Sequence, residues 1–227
     1  MYINIATFNC KNILNSSNCI KTLQKLAHVI CLQEHWLFNF EQNLAEKITS
    51  NLKFKIKSVD DKNPIPSIQK PRGYGGTAIA WKKEIDHLID DNIEEGNERI
   101  VCIRIKVKPT PILIVSVYMP CKGYRSGDEE YKECLDILFE ITRKYHIDHR
   151  IILGGDWNCD LTGKVSPRQK KLEAFLQECG YLHKATGHTF THPNGHDCST
   201  IDYIFLHQQF DKEICSLLWN NHDHLDA

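Results

Sequence analysis

The chain has 227 residues, 41% apolar and 25% charged, a composition ordinary for a globular protein. This length allows one α/β domain or two small ones, with a core large enough to hold without covalent staples. A net charge of −1 excludes a global basic field as the means of holding nucleic acid, so any anionic partner must be held by local groups or a metal.

In chain order, "YINIATF" reads as a strand, and "NCIKTLQKLAH" carries Ile20, Leu23 and Leu26–Ala27 at helical spacing. "VICLQE" reads as a short buried strand. "FEQNLAEKITS" reads as an amphipathic helix with Phe40, Leu44 and Ile48 in line, and "LKFKIKS" alternates as a half-exposed strand. Residues 59–75 hold three prolines and two glycines and read as a loop. "GTAIAW", "RIVCIRIKV" and "PILIVSVY" are strands, the last two a candidate hairpin around Pro109–Pro111. Tyr131, Cys134, Leu138, Ile141 and Tyr145 form a helical stripe over 129–145, and "RIILGG" is a strand. "SPRQKKLEAFLQECG" has Ser166 as N-cap, Pro167 in the first turn and Gly180 past its end. "STIDYIFL" and "EICSLLW" close the series as strands. Short strands, partly in hairpins and partly separated by helices, predict two packed sheets with helices outside them rather than one parallel doubly wound sheet. No repeat, low-complexity tract or linker divides the chain.

Ten cysteines stand at 10, 19, 31, 102, 121, 134, 159, 179, 198 and 215, with no C-x-x-C pair. Several lie inside apolar strands, so they read as free buried thiols of a reducing compartment. "MYINIATFNC" lacks the basic start and apolar stretch of a signal peptide, and no run is long enough to span a membrane. An intracellular location without membrane association is the expectation.

Several apolar strands end in a polar residue: Asn9, Glu34, Tyr118, Asp156 with Asn158, and Asp202. Asp223 and His224 lie in a terminal "HDH". One acid after a strand is ordinarily a turn or cap residue. Taken together, carboxylates, amides and a histidine at strand ends are what metal-assisted hydrolysis of a phosphate ester needs. Hard oxygen ligands hold a hydrated Mg²⁺, an acid orients water, and donors steady charge on phosphorus. In an extended segment Asp156 and Asn158 face the same way. Gly154 and Gly155 are expected to leave room there for a substrate backbone.

Rival readings of these residues are weaker. "DWNCDLTG" starts like a calcium loop, but Leu161 and Pro167 occupy positions that need Gly and Glu. "GYGG" at 73–76 precedes a strand, not the helix of a dinucleotide site. His188, His192 and His196 are interrupted by Pro193 and Gly195 and read as loop histidines.

"TFNCKN", "LQEHWL", "GYGGTAIAW", "VYMP", "GGDWNCD", "STIDYIF" and "HDH" resemble, in order, the motifs of the endonuclease/exonuclease/phosphatase superfamily. The resemblance runs from residue 3 to 224 and is nearest the apurinic-type endonuclease domain of non-LTR retrotransposons. It implies a four-layer α/β sandwich of two mixed sheets flanked by helices, built by residues 1–227 as a single domain. It implies that Glu34 is a metal ligand, with Asn9 and Asp223 beside it. Tyr118 would contact phosphate, Asp156 would activate water with Asn158 as companion, and Asp202 would orient the closing histidine, His224. His222 stands where the family usually has serine, and the chain stops three residues after His224, where relatives continue. These features suggest the N-terminal part of a longer polyprotein, with a reverse transcriptase domain downstream. The implied activity is Mg²⁺-dependent nicking of DNA, with Mn²⁺ able to substitute, leaving 3′-hydroxyl and 5′-phosphate ends, in the nucleus. Lys11, Asn12, Arg72, Lys122 and Arg125 flank the motifs and are candidate phosphate contacts, and Thr189 sits where relatives place a target-contacting hairpin. The alternatives are another phosphoesterase of the superfamily (an apurinic endonuclease, inositol-phosphate phosphatase, sphingomyelinase or deadenylase), a secreted deoxyribonuclease, and an inactive copy that only binds.

Overall fold

The computed structural model describes residues 2–123, 127–182, 187–191, 195–196 and 198–208. The first sheet contains β1 (Ile5–Asn9), β2 (Val29–Gln33), β3 (Leu52–Lys57) and β4 (Thr77–Lys82), in the order β1-β2-β4-β3. β1 and β2 are parallel and the remaining pairs antiparallel. The second sheet adds β5 (Ile89–Asp90), β6 (Ile100–Ile105), β7 (Ile112–Tyr118), β8 (Arg150–Asp156), β9 (Tyr181–Leu182) and β12 (Asp202–His207). Its order is β5-β6-β7-β8-β12-β9, with only β7 and β8 parallel. β10 (Phe190–Thr191) and β11 (Cys198–Ser199) form a separate small hairpin.

Among the described residues four α-helices complete the layers: α1 (Ser17–Leu26), α2 (Asn43–Glu46), α3 (Gly127–Tyr145) and α4 (Pro167–Glu178). α1 and α2 cover the first sheet, where Ile20, Leu23 and Ala45 join the core of Ile30, Leu32 and Ala80. α3 and α4 cover the second, where Leu138, Ile141, Leu172 and Phe175 join Cys102, Val115, Leu153 and Phe205. Between the sheets lie Val29, Cys31, Ile79 and Trp81 from one side and Val101, Ile103, Ile114 and Ile152 from the other. The result is the four-layer arrangement expected, because the central strands β2, β6, β7 and β8 are buried on both faces and need a layer on each side. The cysteines among the described residues are free, and burial pushes the thiols of Cys31 and Cys102 up to about 12.

Two sequence expectations change, and one strand is added. The helix read over 40–50 is a 3-10 turn (Asn39–Glu41) followed by the single turn of α2. Phe38 is fully buried while Phe40 is 41% exposed, and the Glu41 carboxylate turns back to accept from the Phe38 N–H, so the apolar spacing does not form one helical face. Residues 181–182 form an edge strand that the sequence did not signal. Gly154 and Gly155 do not make room for substrate. A Cβ on Gly154 would sit 3.3 Å from Cys31 Sγ in the facing sheet, and one on Gly155 would sit 1.9 Å from the Val117 carbonyl of the neighbouring strand. Both glycines serve close approach within the core. Gly155→Ala is therefore expected to destabilise the fold by about 1–3 kcal/mol through overpacking against backbone, read as a lowered midpoint in thermal or urea unfolding. The strand read at "EICSLLW" lies outside the described residues.

The layering places the site. β1 ends at Asn9, β2 at Gln33, β7 at Tyr118 and β8 at Asp156, while β12 begins with Asp202 opposite Asp156. Parallel pairing within each sheet, with antiparallel β12 entering from the opposite direction, brings these termini to one end of the sandwich.

Candidate active site

Asn9 joins the two sheets. Its Nδ2 donates to Glu34 Oε1 at 2.8 Å and to Asp156 Oδ2 at 2.9 Å. The Asn9 carboxamide oxygen accepts from the Lys11 N–H at 3.3 Å. One amide thus bridges two carboxylates carried by different sheets.

Glu34 follows β2 with a left-handed backbone (φ 55°), and Trp36 repeats it (φ 63°). Such conformations cost about 1–3 kcal/mol each in a non-glycine residue and persist only where surroundings impose them. Here the glycine loop does so: the Glu34 N–H donates to Gly76 O at 2.9 Å and the Trp36 N–H to Gly75 O at 3.0 Å. The residue between them, His35, is buried, and a Cβ on Gly76 would lie 2.3 Å from its Nε2. His35 Nδ1 accepts from the Leu37 N–H at 3.0 Å, which leaves the proton on Nε2 to be donated to Lys57 O at 3.0 Å. Burial pulls its pKa down to about 4, so it is a neutral structural support. "GYGG" is the brace of the "QEHW" segment. Trp36 Nε1 donates to Glu34 Oε2 at 3.3 Å, so each carboxylate oxygen has one protein donor and free lone pairs.

On the second sheet, Asp156 Oδ1 accepts from the Asn158 N–H at 2.9 Å. Asn158 is also left-handed (φ 46°), and its Nδ2 donates to Met119 O at 2.7 Å. Asp160, the third polar residue of that run, turns elsewhere: it accepts from Thr162, Gly163 and the Thr200 N–H and closes a turn. Tyr118 pairs with Asp156 across β7 and β8, and Arg99 lies 5.3 Å from its ring centroid. Burial first, then the negative Glu34 and Asp156, push the Tyr118 phenol up, so it remains a proton donor.

Asp156 and Asp202 face each other across β8 and β12. Burial, reinforced by the Asp202 and Glu34 charges, holds Asp156 well above the usual carboxylate range. Burial also pushes Asp202 up, while the Thr189 hydroxyl and Lys11 oppose the shift. Thr189 Oγ1 accepts from the N–H groups of Ile201 (2.9 Å) and Asp202 (3.1 Å), so its hydroxyl is engaged at the start of β12.

Of the other candidate DNA contacts, Lys11 and Arg72 pack near rings of neighbouring segments. Lys11 Nζ lies 5.4 Å from the centroid of Phe190 in the small hairpin, and Arg72 lies 5.8 Å from that of Trp36. Lys122 is exposed. Asn12 Oδ1 accepts from the N–H groups of Leu14 and Asn15, a local turn role. Arg125, Asp223 and His224 lie outside the described residues.

A divalent cation fits this donor set. Carboxylates from both sheets meet here, burial disfavours the charge of Asp156, and a bound cation would relieve that cost. Among the described residues no group of three or more His, Cys, Asp or Glu side chains forms a closed metal cage. Sparse oxygen donors suit an ion that keeps most of its waters rather than a structural zinc. Glu34 is the best-placed ligand. Asn9 presents its amide nitrogen, not its oxygen, to the carboxylates, so it orients them rather than joining Glu34 as a ligand.

Sequence reasoning missed the Trp36 bond to Glu34, the Met119 carbonyl and Arg99. It also missed Gln33, fully buried between the sheets, whose Nε2 donates to Ser116 Oγ at 3.1 Å and whose Oε1 accepts from Thr7 at 3.2 Å. A polar residue inside "VICLQE" was the available signal for Gln33.

A four-layer sandwich with acidic and amide side chains at the shared end of both sheets defines a phosphoester-cleaving class of enzyme. The chain belongs to the endonuclease/exonuclease/phosphatase family, whose profile matches residues 6–224. Among solved structures it is similar to the endonuclease domain of TRAS1, a telomere-specific non-LTR retrotransposon, with TM-score 0.71 and 18% identity over 99% of this chain and 93% of that one. It is similar to a 3′-5′ exonuclease from Neisseria meningitidis, with TM-score 0.66 and 13% identity over 98% and 96%. It is also similar to the apurinic endonuclease LMAP from Leishmania major, with TM-score 0.68 and 13% identity over 91% and 78%. At such identities the likeness is one of fold. A search by sequence among curated proteins finds no match. Among the described residues no helix is long and apolar enough to cross a membrane.

Proposed function

We propose that the protein is a metal-dependent DNA endonuclease that nicks a strand to leave 3′-hydroxyl and 5′-phosphate ends. The observation that carries this reading is the Asn9 bridge between Glu34 and Asp156, with Tyr118 and Asp202 alongside. Family enzymes generally use divalent metals, and Glu34 would hold one here, Mg²⁺ or Mn²⁺, with Asp223 as a further candidate. When bound, the metal supplies charge neutralisation at the scissile phosphate. Asp156, kept basic enough by its buried setting to accept a proton, aligns a water for in-line attack. Tyr118 donates to a phosphate oxygen, and Asn158 holds the Asp156 carboxylate in place through its N–H. Asp202 orients His224, which steadies charge as the P–O3′ bond breaks. The similarity to the TRAS1 domain favours the retroelement version, in which the new 3′-hydroxyl primes reverse transcription by a domain of the same polypeptide and the site of action is the nucleus.

The test is nicking of supercoiled plasmid with Mg²⁺ or Mn²⁺ against EDTA, followed by end-group analysis. Metal-dependent nicks that a DNA ligase reseals without prior end repair are expected. Release of inorganic phosphate from small esters with plasmid left intact would move the assignment to a phosphatase of the family. The superfamily also includes exonucleases, as the Neisseria structure illustrates. Degradation confined to linear ends would mark that activity.

A further inference from the structure

Arg168 is the second residue of α4 and is 5% exposed, deep for a guanidinium. Its Nη1 donates to Pro120 O at 2.7 Å. Its Nη2 donates to Gly127 O at 3.2 Å and Asp128 Oδ1 at 2.8 Å, and reaches Cys121 O at 3.5 Å. Its carbon lies 4.4 Å from the centroid of the Tyr131 ring. The Tyr131 hydroxyl in turn donates to Trp157 O at 3.2 Å.

These contacts lie directly behind the segments that carry Tyr118, Asp156 and Asn158. Pro120 follows Met119, whose carbonyl holds Asn158 Nδ2 and whose N–H donates to Asp156 O at 2.8 Å. Trp157 stands between Asp156 and Asn158. One guanidinium therefore grips the segment leaving Tyr118 and, through Tyr131, the segment joining Asp156 to Asn158.

We propose that Arg168 is a positioning residue for the cleavage site, fixing Tyr118 and Asn158 relative to Asp156. This rests on the endonuclease reading above. Stability alone does not account for it: a buried charge whose acidic partner is 76% exposed is expensive, and apolar packing in such places is commonly as stable or more so. The planar fork is needed because the acceptors lie on separate segments, before and after the turn that follows Tyr118. An ammonium group cannot reach both in fixed geometry.

The test uses Arg168→Lys and Arg168→Met with two readouts, nicking kinetics and amide hydrogen exchange at Met119 and Asn158. In both variants kcat is expected to fall roughly tenfold to a hundredfold, the scale of a small misplacement of reacting groups, with KM for DNA unchanged. Exchange at the two amides should accelerate while the core strands stay protected. Parent-like kcat and exchange would overturn the proposal, as would a raised KM at unchanged kcat, which would make Arg168 a DNA-affinity residue. If Arg168→Met does not fold, Tyr131→Phe keeps the ring under the guanidinium and removes the hydroxyl's bonds to Trp157 O and to Cys159 in the same segment. It should speed exchange at Asn158 and lower kcat less, and parent-like exchange there would overturn the proposal. If the parent fails to nick DNA, the endonuclease reading falls, while exchange still decides whether the clamp exists.

Discussion

Asp156→Asn is expected to lower nicking by roughly 10²–10⁴-fold, the range for loss of a general base, while the chain melts no lower than the parent. The substitution is nearly isosteric. An asparagine oxygen can keep the bond from either the Asn158 N–H or Asn9 Nδ2, while its own amide nitrogen meets the other donor, so one hydrogen bond is lost. Against that loss stands relief of a buried charge facing Asp202 and Glu34. Removing an ionised group from such a place offsets the lost hydrogen bond to the carboxylate, about 1.5–3 kcal/mol. Activity and stability should therefore separate, as they do where a site is kept in an unfavourable arrangement for its chemistry. Plasmid nicking and thermal unfolding on the same preparations check it. Parent-like nicking by the variant would remove Asp156 from the mechanism. A large fall in melting temperature would mean that the carboxylate is structural.

Glu34→Gln is expected to raise the metal concentration for half-maximal nicking by about 10–100-fold or more, with partial recovery at high metal. Glu34 receives Asn9 on one oxygen and Trp36 on the other, so its carboxylate is held in a fixed orientation with lone pairs still free. Glutamine keeps the size and loses the charge and one acceptor. Direct titration, by calorimetry with Mg²⁺ or by Mn²⁺ spin-resonance binding, should show the same shift without DNA present. If added metal restores nothing and binding is unchanged, Glu34 acts through Asn9 and Asp156 rather than as a ligand. The two substitutions should also interact, because Asn9 bonds both carboxylates. The double variant is expected to lose less than the sum of the single losses.

The strand-end pattern was legible in the sequence because it depends on local features. Apolar runs bounded by Asn9, Glu34, Tyr118 and Asp156 mark where core strands stop, and extended backbone needs only a short window to be read. α3 and α4 were equally clear, the second through its Ser166 cap, whose oxygen accepts from the Gln169 N–H at 3.2 Å. The 40–50 region misled because helical spacing of apolar residues does not require that all of them be buried together. Phe40 lies outside while Phe38 takes the core position. Gly154 and Gly155 misled because a glycine near a suspected site and a glycine packed under a neighbouring strand look identical in one dimension. Arg168 carried no signal in the sequence, because its carbonyl partners come from a different segment.

By itself the sequence determined the two-sheet sandwich, the buried thiols of the core strands such as Cys31 and Cys102, and the polar residues at the strand ends, since each follows from composition and periodicity over a few residues. Only the tertiary structure decided that Asn9 would bridge Glu34 and Asp156, that the glycine loop would hold Glu34 left-handed, and that Asp202 would meet Asp156 across a strand pair. Those contacts join residues up to 147 positions apart. They are set by how two sheets stack and in what register their strands pair, which no local pattern encodes.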